Sequence, residues 1–171
     1  MEAPTVSRPY GALLDWLRSN RIDYEVHEHA ETFSATSTAD AEGVDARTFA
    51  KVVGVATDDG RRALLVVDAP DRVDLDKAAP ILGATNVRLL SEAELGALAV
   101  GCQPGAVPAV GELFGLPTYA DYAVEVDPEI SFNAGDHRYT VRVDRLAWER
   151  ATRVHYANLA AHPGAGPSGE A

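Results

Sequence analysis

The sequence predicts an α/β (α+β) protein, a single compact domain in which a mixed β-sheet is flanked by helices. Three observations carry this prediction. Apolar, β-branched segments of strand length outnumber the helical segments, and the helices fall between them without strict β-α-β alternation. The 171 residues, 46% of them apolar and 24% charged, suit one globular domain with a sizeable core.

The first third of the chain predicts two helices and two strands. Residues 7–20 carry leucines at helical spacing behind a Ser-Arg-Pro start, which indicates an amphipathic helix. Residues 23–29 alternate in polarity as a strand does. A Ser/Thr-rich segment, 36–44, predicts a short helix that ends at its glycine, and the nearly continuous apolar run 50–57 predicts a buried strand.

The middle of the chain begins with a hairpin. The turn Asp-Asp-Gly joins the strand 50–57 to a second strand over 62–69. Residues 73–83 start as a helix that an internal proline shortens or kinks. A short strand over 86–90 leads to a helix over 91–99, where Ser and Glu stand at capping-box spacing.

The last third predicts a loop, three strands and a helix. Residues 101–111, GCQPGAVPAVG, contain three glycines and two prolines, so they cannot form a helix interior or a central strand. The predicted strands lie at 118–126, 130–135 and 139–143, and the helix at 144–153. We expect the domain to span residues 1–158 and the Pro/Gly-rich residues 159–171 to form a disordered tail.

Composition excludes several classes of function. The net charge of −11 argues against a surface that grips nucleic acid broadly, because phosphate neutralisation requires clustered lysines and arginines. No apolar run approaches the ~18 residues that span a bilayer, and the N-terminal residues lack a secretory pattern. The single cysteine cannot form an internal disulfide, so we expect a cytoplasmic protein without membrane contact.

Two candidate reactive groups have plainer interpretations. Cys102 follows a predicted helix C-terminus, where the dipole disfavours a thiolate, so it is expected to fill space rather than act as a nucleophile. His27 and His29 share one face of a strand, but no further ligand residues stand at metal-binding spacing. We therefore expect no metal and no other cofactor.

Three further features leave alternatives open. Lys51 enters the most apolar strand, either to snorkel at its end or to reach a pocket or partner. His137 follows a turn and lies either at a simple hairpin corner or at a ligand-contacting rim. In the loop, Gly105 and Gly111 lack side chains, so a ligand can come close to backbone N–H groups. Pro104 and Pro108 hold the loop rigid, which suits an oxyanion-type site. The alternative is that the loop is only a rigid connector.

Five segments, in this order, resemble the YbaK/prolyl-tRNA-editing domain family of aminoacyl-tRNA deacylases, over about residues 20 to 155. They are FAKVVGVA (49–56), ALLVVDAPDRVDLDKAAPILG (63–83), CQPGAVPAVG (102–111), LPTYADYAVE (116–125) and ISFNAGDHR (130–138). The resemblance implies a compact α/β domain that acts in trans on mischarged tRNA, typically tRNA-Pro carrying cysteine or alanine.

The resemblance also implies roles for individual residues. Lys51 matches the family's functional lysine, which holds the phosphate of the terminal adenosine or the ester. Backbone amides of the loop would hold the aminoacyl carbonyl, and a ribose hydroxyl of the tRNA would help to activate water. The implied catalytic set is Lys51, Gly105, Ala106 and Val107, and the implied substrate-binding set is Phe33, Thr36, Pro104, Pro108, Gly111, Asn133 and His137.

The loop departs from the family at two positions. Pro104 stands where several relatives have the glycine of a Gly-x-x-x-Pro motif, and Val107 stands where some have serine. The backbone amides of the loop keep their role despite both changes, whereas the pocket for the amino-acid side chain is expected to differ. The expected partners are the acceptor end of mischarged tRNA and prolyl-tRNA synthetase or an elongation factor. Two other hypotheses stand beside the deacylase: a non-catalytic module that binds aminoacyl-adenosine or a nucleotide, and a hydrolase of small aminoacyl esters.

Overall fold

The computed structural model describes residues 8–161. Within these residues the strands, in chain order, are β1 (Tyr24–Glu28), β2 (Ala50–Thr57), β3 (Arg62–Asp68), β4 (Arg72–Val73), β5 (Val87–Leu89), β6 (Thr118–Asp121), β7 (Glu129–Asn133), β8 (Tyr139–Asp144), β9 (His155–Ala157) and β10 (Ala160–Ala161). The α-helices are α1 (Gly11–Ser19), α2 (Ala35–Glu42), α3 (Leu75–Ile81), α4 (Glu92–Leu98), α5 (Tyr122–Glu125) and α6 (Arg145–Thr152).

The strands divide between two main sheets. A mixed five-stranded sheet has the order β5-β2-β3-β6-β9, in which the first three strands run antiparallel and β6 and β9 join in parallel. An antiparallel sheet has the order β1-β8-β7. A bridge between Phe49 and Ser131 links β7 to the start of β2, so the end of β7 lies beside that strand. The predicted mixed sheet with flanking helices is confirmed, with a second sheet added.

Local hydrogen bonds explain why the helices begin and end where they do. The side chain of Ser34 accepts the Ser37 N–H and starts α2, which Gly43 ends with φ +68°. The capping box predicted at the start of α4 is present, because the side chain of Ser91 accepts the Glu94 N–H while the Glu94 carboxylate accepts the Ser91 N–H.

Two parts of the predicted chain organisation are corrected. Residues 118–126 are not one strand, since the Asp121 carboxylate accepts the Ala123 N–H and starts α5 at that point. The domain also continues past residue 158: Leu159 is fully buried, and β10 pairs with β4. The rest of the expected disordered tail, 162–171, lies outside the described residues.

The core between the two sheets fixes the loop 101–111. Trp148 of α6 is fully buried, and its indole N–H donates to the Ala109 carbonyl at 2.8 Å. Ala109 and Val110 are themselves fully buried in the same cluster. The C-terminal half of the loop is therefore part of the core. Among residues 8–161, no helix is long and apolar enough to cross a membrane.

Candidate functional site

A cavity of about 400 Å³ opens between the start of β2, the residues around the start of α2, the loop 101–111 and the end of β7. It brings together six of the residues predicted from the sequence: Phe33, Thr36, Lys51, Gly105, Val107 and Asn133. The rest of its lining consists of Ser34, Ala35, Val52, Val53 and Ala69. Among the residues that the structure describes, Lys51 is thus the one titratable side chain in the lining of this cavity.

Lys51 is half-buried in the second position of β2. Its ammonium group donates to the backbone carbonyl of Asp71, in the turn that follows β3. Burial lowers the pKa of Lys51; the positive charge of Arg72 lowers it further, while the negative charge of Asp71 opposes the shift. Of the two alternatives open from the sequence, the structure supports the lysine that reaches a pocket.

Asp71 anchors the turn that receives Lys51. It is fully buried, and its carboxylate accepts a hydrogen bond from the Arg47 guanidinium at 2.7 Å. A buried carboxylate is stable only when it is paired, so Arg47 holds this turn in place beside the cavity. Sequence reasoning missed both residues, because 24 positions separate them, Arg47 lies outside the five segments, and Asp71 has no distinguishing feature within the segment 63–83.

Two residues of the loop that line the cavity keep their N–H groups unpaired within residues 8–161. Pro104–Ala106 form one turn of 3₁₀ helix, and the Ala106 N–H is used within the loop, donating to the Gln103 carbonyl at 2.9 Å. The N–H groups of Gly105 and Val107 donate to no acceptor among residues 8–161. Both residues line the cavity, whereas Ala106 is fully buried. The predicted three-amide set therefore reduces to two available donors.

His137 lies behind Gly105 rather than in the lining of the cavity. A Cβ atom on Gly105 would lie 2.9 Å from His137 Cε1. The His137 ring also contacts the Phe33 ring, with centroids 4.9 Å apart, and its backbone N–H donates to the Gln103 side chain at 2.7 Å. Gly105 is thus required by the packing of the imidazole, and His137 supports the wall formed by Gly105 and Phe33.

Three other loop residues have structural positions. Gly111 is buried outside the cavity, where its N–H donates to the Thr118 hydroxyl and a Cβ would lie 2.3 Å from the Leu116 carbonyl oxygen. The expectation that Gly111 exposes an amide to a ligand is therefore corrected. Pro104 begins the 3₁₀ turn and Pro108 is buried, so both shape the loop without lining the cavity.

Asn133 ends β7 at the wall of the cavity. Its Oδ1 atom is enclosed and accepts no hydrogen bond from the described residues. An unpartnered enclosed amide is costly in a core and is more often retained next to a binding site.

The remaining candidate groups lie apart from this cavity. Burial raises the pKa of Cys102 to about 12, which favours the packing role expected for this thiol. His27 pairs with Glu25 at 3.1 Å, and His29 lies 3.3 Å from Glu42, so the two histidines have separate partners. In the described range no three His, Cys, Asp or Glu side chains converge as metal ligands would.

A second cavity, of about 410 Å³, lies at the opposite end of the β2–β3 hairpin. Its lining is mostly apolar and includes none of the predicted site residues. The first cavity is therefore the better candidate, because it combines a cation with free amide donors. Such a set binds and stabilises an oxygen atom that carries or develops negative charge.

Comparison with known proteins gives one family match and several similar solved structures. Residues 27–151 match the family described as the aminoacyl-tRNA editing domain. A search of curated proteins finds no match. A solved structure provisionally described as a trans-editing enzyme for prolyl-tRNA synthetase is 25% identical, with a TM-score of 0.79 over 92% of this chain and 99% of that chain.

Two further solved structures share the fold. A scaffold protein used for computational epitope grafting is 25% identical, with a TM-score of 0.78 over 91% of this chain and 99% of its own. A protein described only as hypothetical is 17% identical, with a TM-score of 0.80 over 88% and 99% of the two chains. The family match spans well over half of the sequence and includes the cavity residues from Phe33 to Asn133. The chain belongs to the aminoacyl-tRNA editing domain family.

Proposed function

We propose that this protein is a free-standing aminoacyl-tRNA deacylase that hydrolyses the ester of mischarged tRNA. One observation carries the proposal: Lys51, Gly105 and Val107 line the same cavity, and the N–H groups of the two loop residues are unpaired within residues 8–161. An aminoacyl ester offers a carbonyl oxygen for the two amides, and the adjoining nucleotide offers a phosphate for the lysine.

The reaction is the addition of water to the ester carbonyl. As the new C–O bond forms, the carbonyl oxygen becomes an oxyanion, which the Gly105 and Val107 amides stabilise. Collapse of this intermediate breaks the bond to the ribose oxygen, which takes up a proton, and releases a free amino acid and uncharged tRNA. Loss of one such donor typically lowers kcat by about 100-fold or more.

The substrate assists in this scheme. Within residues 8–161, the lining of the cavity contains no carboxylate, imidazole or thiol to act as a general base. The vicinal ribose hydroxyl of the terminal nucleotide would then orient and activate the water. Lys51 would act as an electrostatic anchor, and burial of its ammonium group strengthens its attraction for an anion.

The substrate we propose is tRNA-Pro carrying cysteine or alanine. The similarity to a protein described as acting in trans for prolyl-tRNA synthetase supports this choice. With a net charge of −11, the chain is expected to bind tRNA weakly and in a salt-dependent manner. Delivery by prolyl-tRNA synthetase or an elongation factor in the cytoplasm would compensate for that weakness.

The two lysines of the chain provide a matched test. Lys77 also donates to a backbone carbonyl, that of Ala160 at 2.9 Å, but lies on α3 away from the cavity. Deacylation of Cys-tRNA-Pro and Ala-tRNA-Pro is measured for the wild type, Lys51→Ala and Lys77→Ala. We expect Lys51→Ala to lower kcat/KM by about 100-fold and Lys77→Ala to stay within about threefold.

Two results would contradict the proposal. If the wild type deacylates no mischarged tRNA in a panel, the proposed deacylase activity is wrong. If it leaves both Cys-tRNA-Pro and Ala-tRNA-Pro intact, the proposed substrate is wrong. A fully active Lys51→Ala removes the assigned role of the lysine.

The alternatives are separated by two further measurements. A non-catalytic module would bind a non-hydrolysable aminoacyl-adenosine analogue while leaving true substrates intact. A hydrolase of small aminoacyl esters would act on such an ester as fast as on charged tRNA.

A further inference from the structure

Three cationic side chains gather at the Lys51 side of the cavity, around one turn of the chain. Asp71 organises them: its carboxylate binds Arg47 and its carbonyl accepts the Lys51 ammonium. Arg72 is the next residue in the chain, so its backbone adjoins the atom that Lys51 contacts. Carboxylates stand close to this cluster as well, since Asp71, Asp68 and Asp45 all act on the charge of Arg47.

The arginine of this cluster that the protein leaves available is Arg72. It is exposed at the start of β4, and its guanidinium forms no hydrogen bond or ion pair with residues 8–161. Arg47, in contrast, is engaged by Asp71 and lies 3.9 Å from Asp68. Arg72 also acts electrostatically on Lys51, because its charge disfavours the ammonium form.

Arg72 directly follows the residue whose carbonyl accepts the Lys51 ammonium, and the two charges repel each other. Such a pair favours an anion between or beside the two cations. A guanidinium group offers a planar pair of donors that matches two phosphate oxygens, whereas an ammonium group acts as a point charge. The Arg47–Asp71 pair keeps the backbone of this turn fixed, so little ordering is required when the anion binds.

We propose that Arg72, together with Lys51, binds a backbone phosphodiester of the RNA strand whose aminoacylated 3′ end enters the cavity. This inference rests on the proposed function and deepens it, because it identifies how an acidic protein obtains local affinity for RNA. Lys51 lies in the lining of the cavity, whereas Arg72 is exposed beside it and outside that lining, so the phosphodiester would belong to a nucleotide that precedes the terminal one.

The test compares Arg72→Gln with Arg62→Gln. Arg62 is also exposed and forms no ion pair within residues 8–161, but it stands at the opposite end of β3, at the second cavity. Each variant is assayed on an aminoacylated RNA minihelix and on an aminoacyl-adenosine ester that lacks a phosphate. Arg72→Lys, which keeps the charge, is included as a conservative variant.

We expect Arg72→Gln to lower kcat/KM on the minihelix by about tenfold, mainly through KM, and to reduce the slope of log(kcat/KM) against log[salt] by about one. Its activity on the phosphate-free ester should equal that of the wild type. Arg72→Lys should keep the salt slope, and Arg62→Gln should match the wild type on both substrates.

Unchanged activity of Arg72→Gln on the minihelix would overturn the inference. An equal loss of activity on both substrates would also overturn it, because Arg72 would then act by positioning Lys51 rather than by binding a phosphate. Binding of uncharged minihelix at low salt is measured in parallel. This measurement does not depend on turnover. An inactive wild type would contradict the proposed function, but a difference in RNA affinity between Arg72→Gln and the wild type would still show whether Arg72 binds the phosphate.

Discussion

The imidazole of His137 occupies the space beside the α-carbon of Gly105, where a Cβ atom would lie 2.9 Å from Cε1 and 3.3 Å from Nε2. The glycine, the histidine and the ring of Phe33 therefore form one packed unit at the cavity wall. This unit holds the Gly105 amide, which is one of the two free donors, in its position.

Replacement of Gly105 by alanine is expected to lower deacylase activity by about tenfold or more while the fold is retained, because the imidazole must move and the loop with it. Gly96→Ala is the matched control. It lies in α4 next to the same loop, where a Cβ would make only an ordinary contact with Pro104 at 3.8 Å. Circular dichroism and kcat/KM are measured for both variants.

The double variant Gly105→Ala/His137→Ala tests the cause. Removal of the imidazole opens the space for the new methyl group but also removes its support of the wall, so activity should recover from the level of Gly105→Ala only to that of the single variant His137→Ala. A double variant that is as impaired as Gly105→Ala would show that the methyl group obstructs the substrate itself.

Cys102→Ala is expected to retain activity within about twofold. Burial raises the pKa of the thiol to about 12, so it stays protonated at pH 8 and reacts slowly with iodoacetamide. The measurement is kcat/KM for the variant together with the alkylation rate of the native wild type. Rapid alkylation that abolishes activity would restore Cys102 as a functional thiol.

Asp68→Asn is expected to stabilise the protein at pH 8 and to have a clearly smaller stabilising effect at pH 5. Burial, reinforced by the charges of Asp127 and Asp71, raises the pKa of Asp68 from 3.8 to about 7. The folded state therefore holds a proton that the unfolded state releases, and the free energy of unfolding falls as pH rises toward 7. The asparagine cannot ionise and removes this dependence.

Thermal unfolding of Asp68→Asn is followed from pH 5 to pH 8, with Asp23→Asn as an exposed control. The gain in Tm at pH 8 should reach several degrees, since a shift of about three pKa units corresponds to at most ~4 kcal/mol. Equal gains at both ends of the pH range would contradict the assignment.

The two tryptophans provide a test of how the loop is held. Trp148→Phe removes the indole N–H that the buried Ala109 carbonyl accepts, and should lower the free energy of unfolding by about 1–3 kcal/mol. Trp16 donates to Glu112 at 3.1 Å in a partly buried position, so Trp16→Phe should cost less. Chemical denaturation measures both variants, and the reverse order would contradict the buried anchor.

Much of the architecture follows from local patterns in the sequence. The hairpin of β2 and β3, the capping box at Ser91 and the glycine that ends α2 are each specified by residues within one turn or strand pair. The five spaced segments also identified the family. The strands missed, β4, β9 and β10, are two or three residues long. The strand β9 pairs with β6, and β4 and β10 pair with each other, so each depends on a partner that is distant in the sequence.

For the site, the sequence determined that Lys51 enters an apolar strand and that a rigid Gly/Pro loop follows later in the chain. The tertiary structure decided which amides remain free: Ala106 donates within the loop and Gly111 donates to Thr118, while Gly105 and Val107 keep their N–H groups available. It also paired Arg47 with Asp71. The physical reason is that hydrogen-bond satisfaction and burial depend on neighbours brought together by folding, and spacing along the chain does not encode those neighbours.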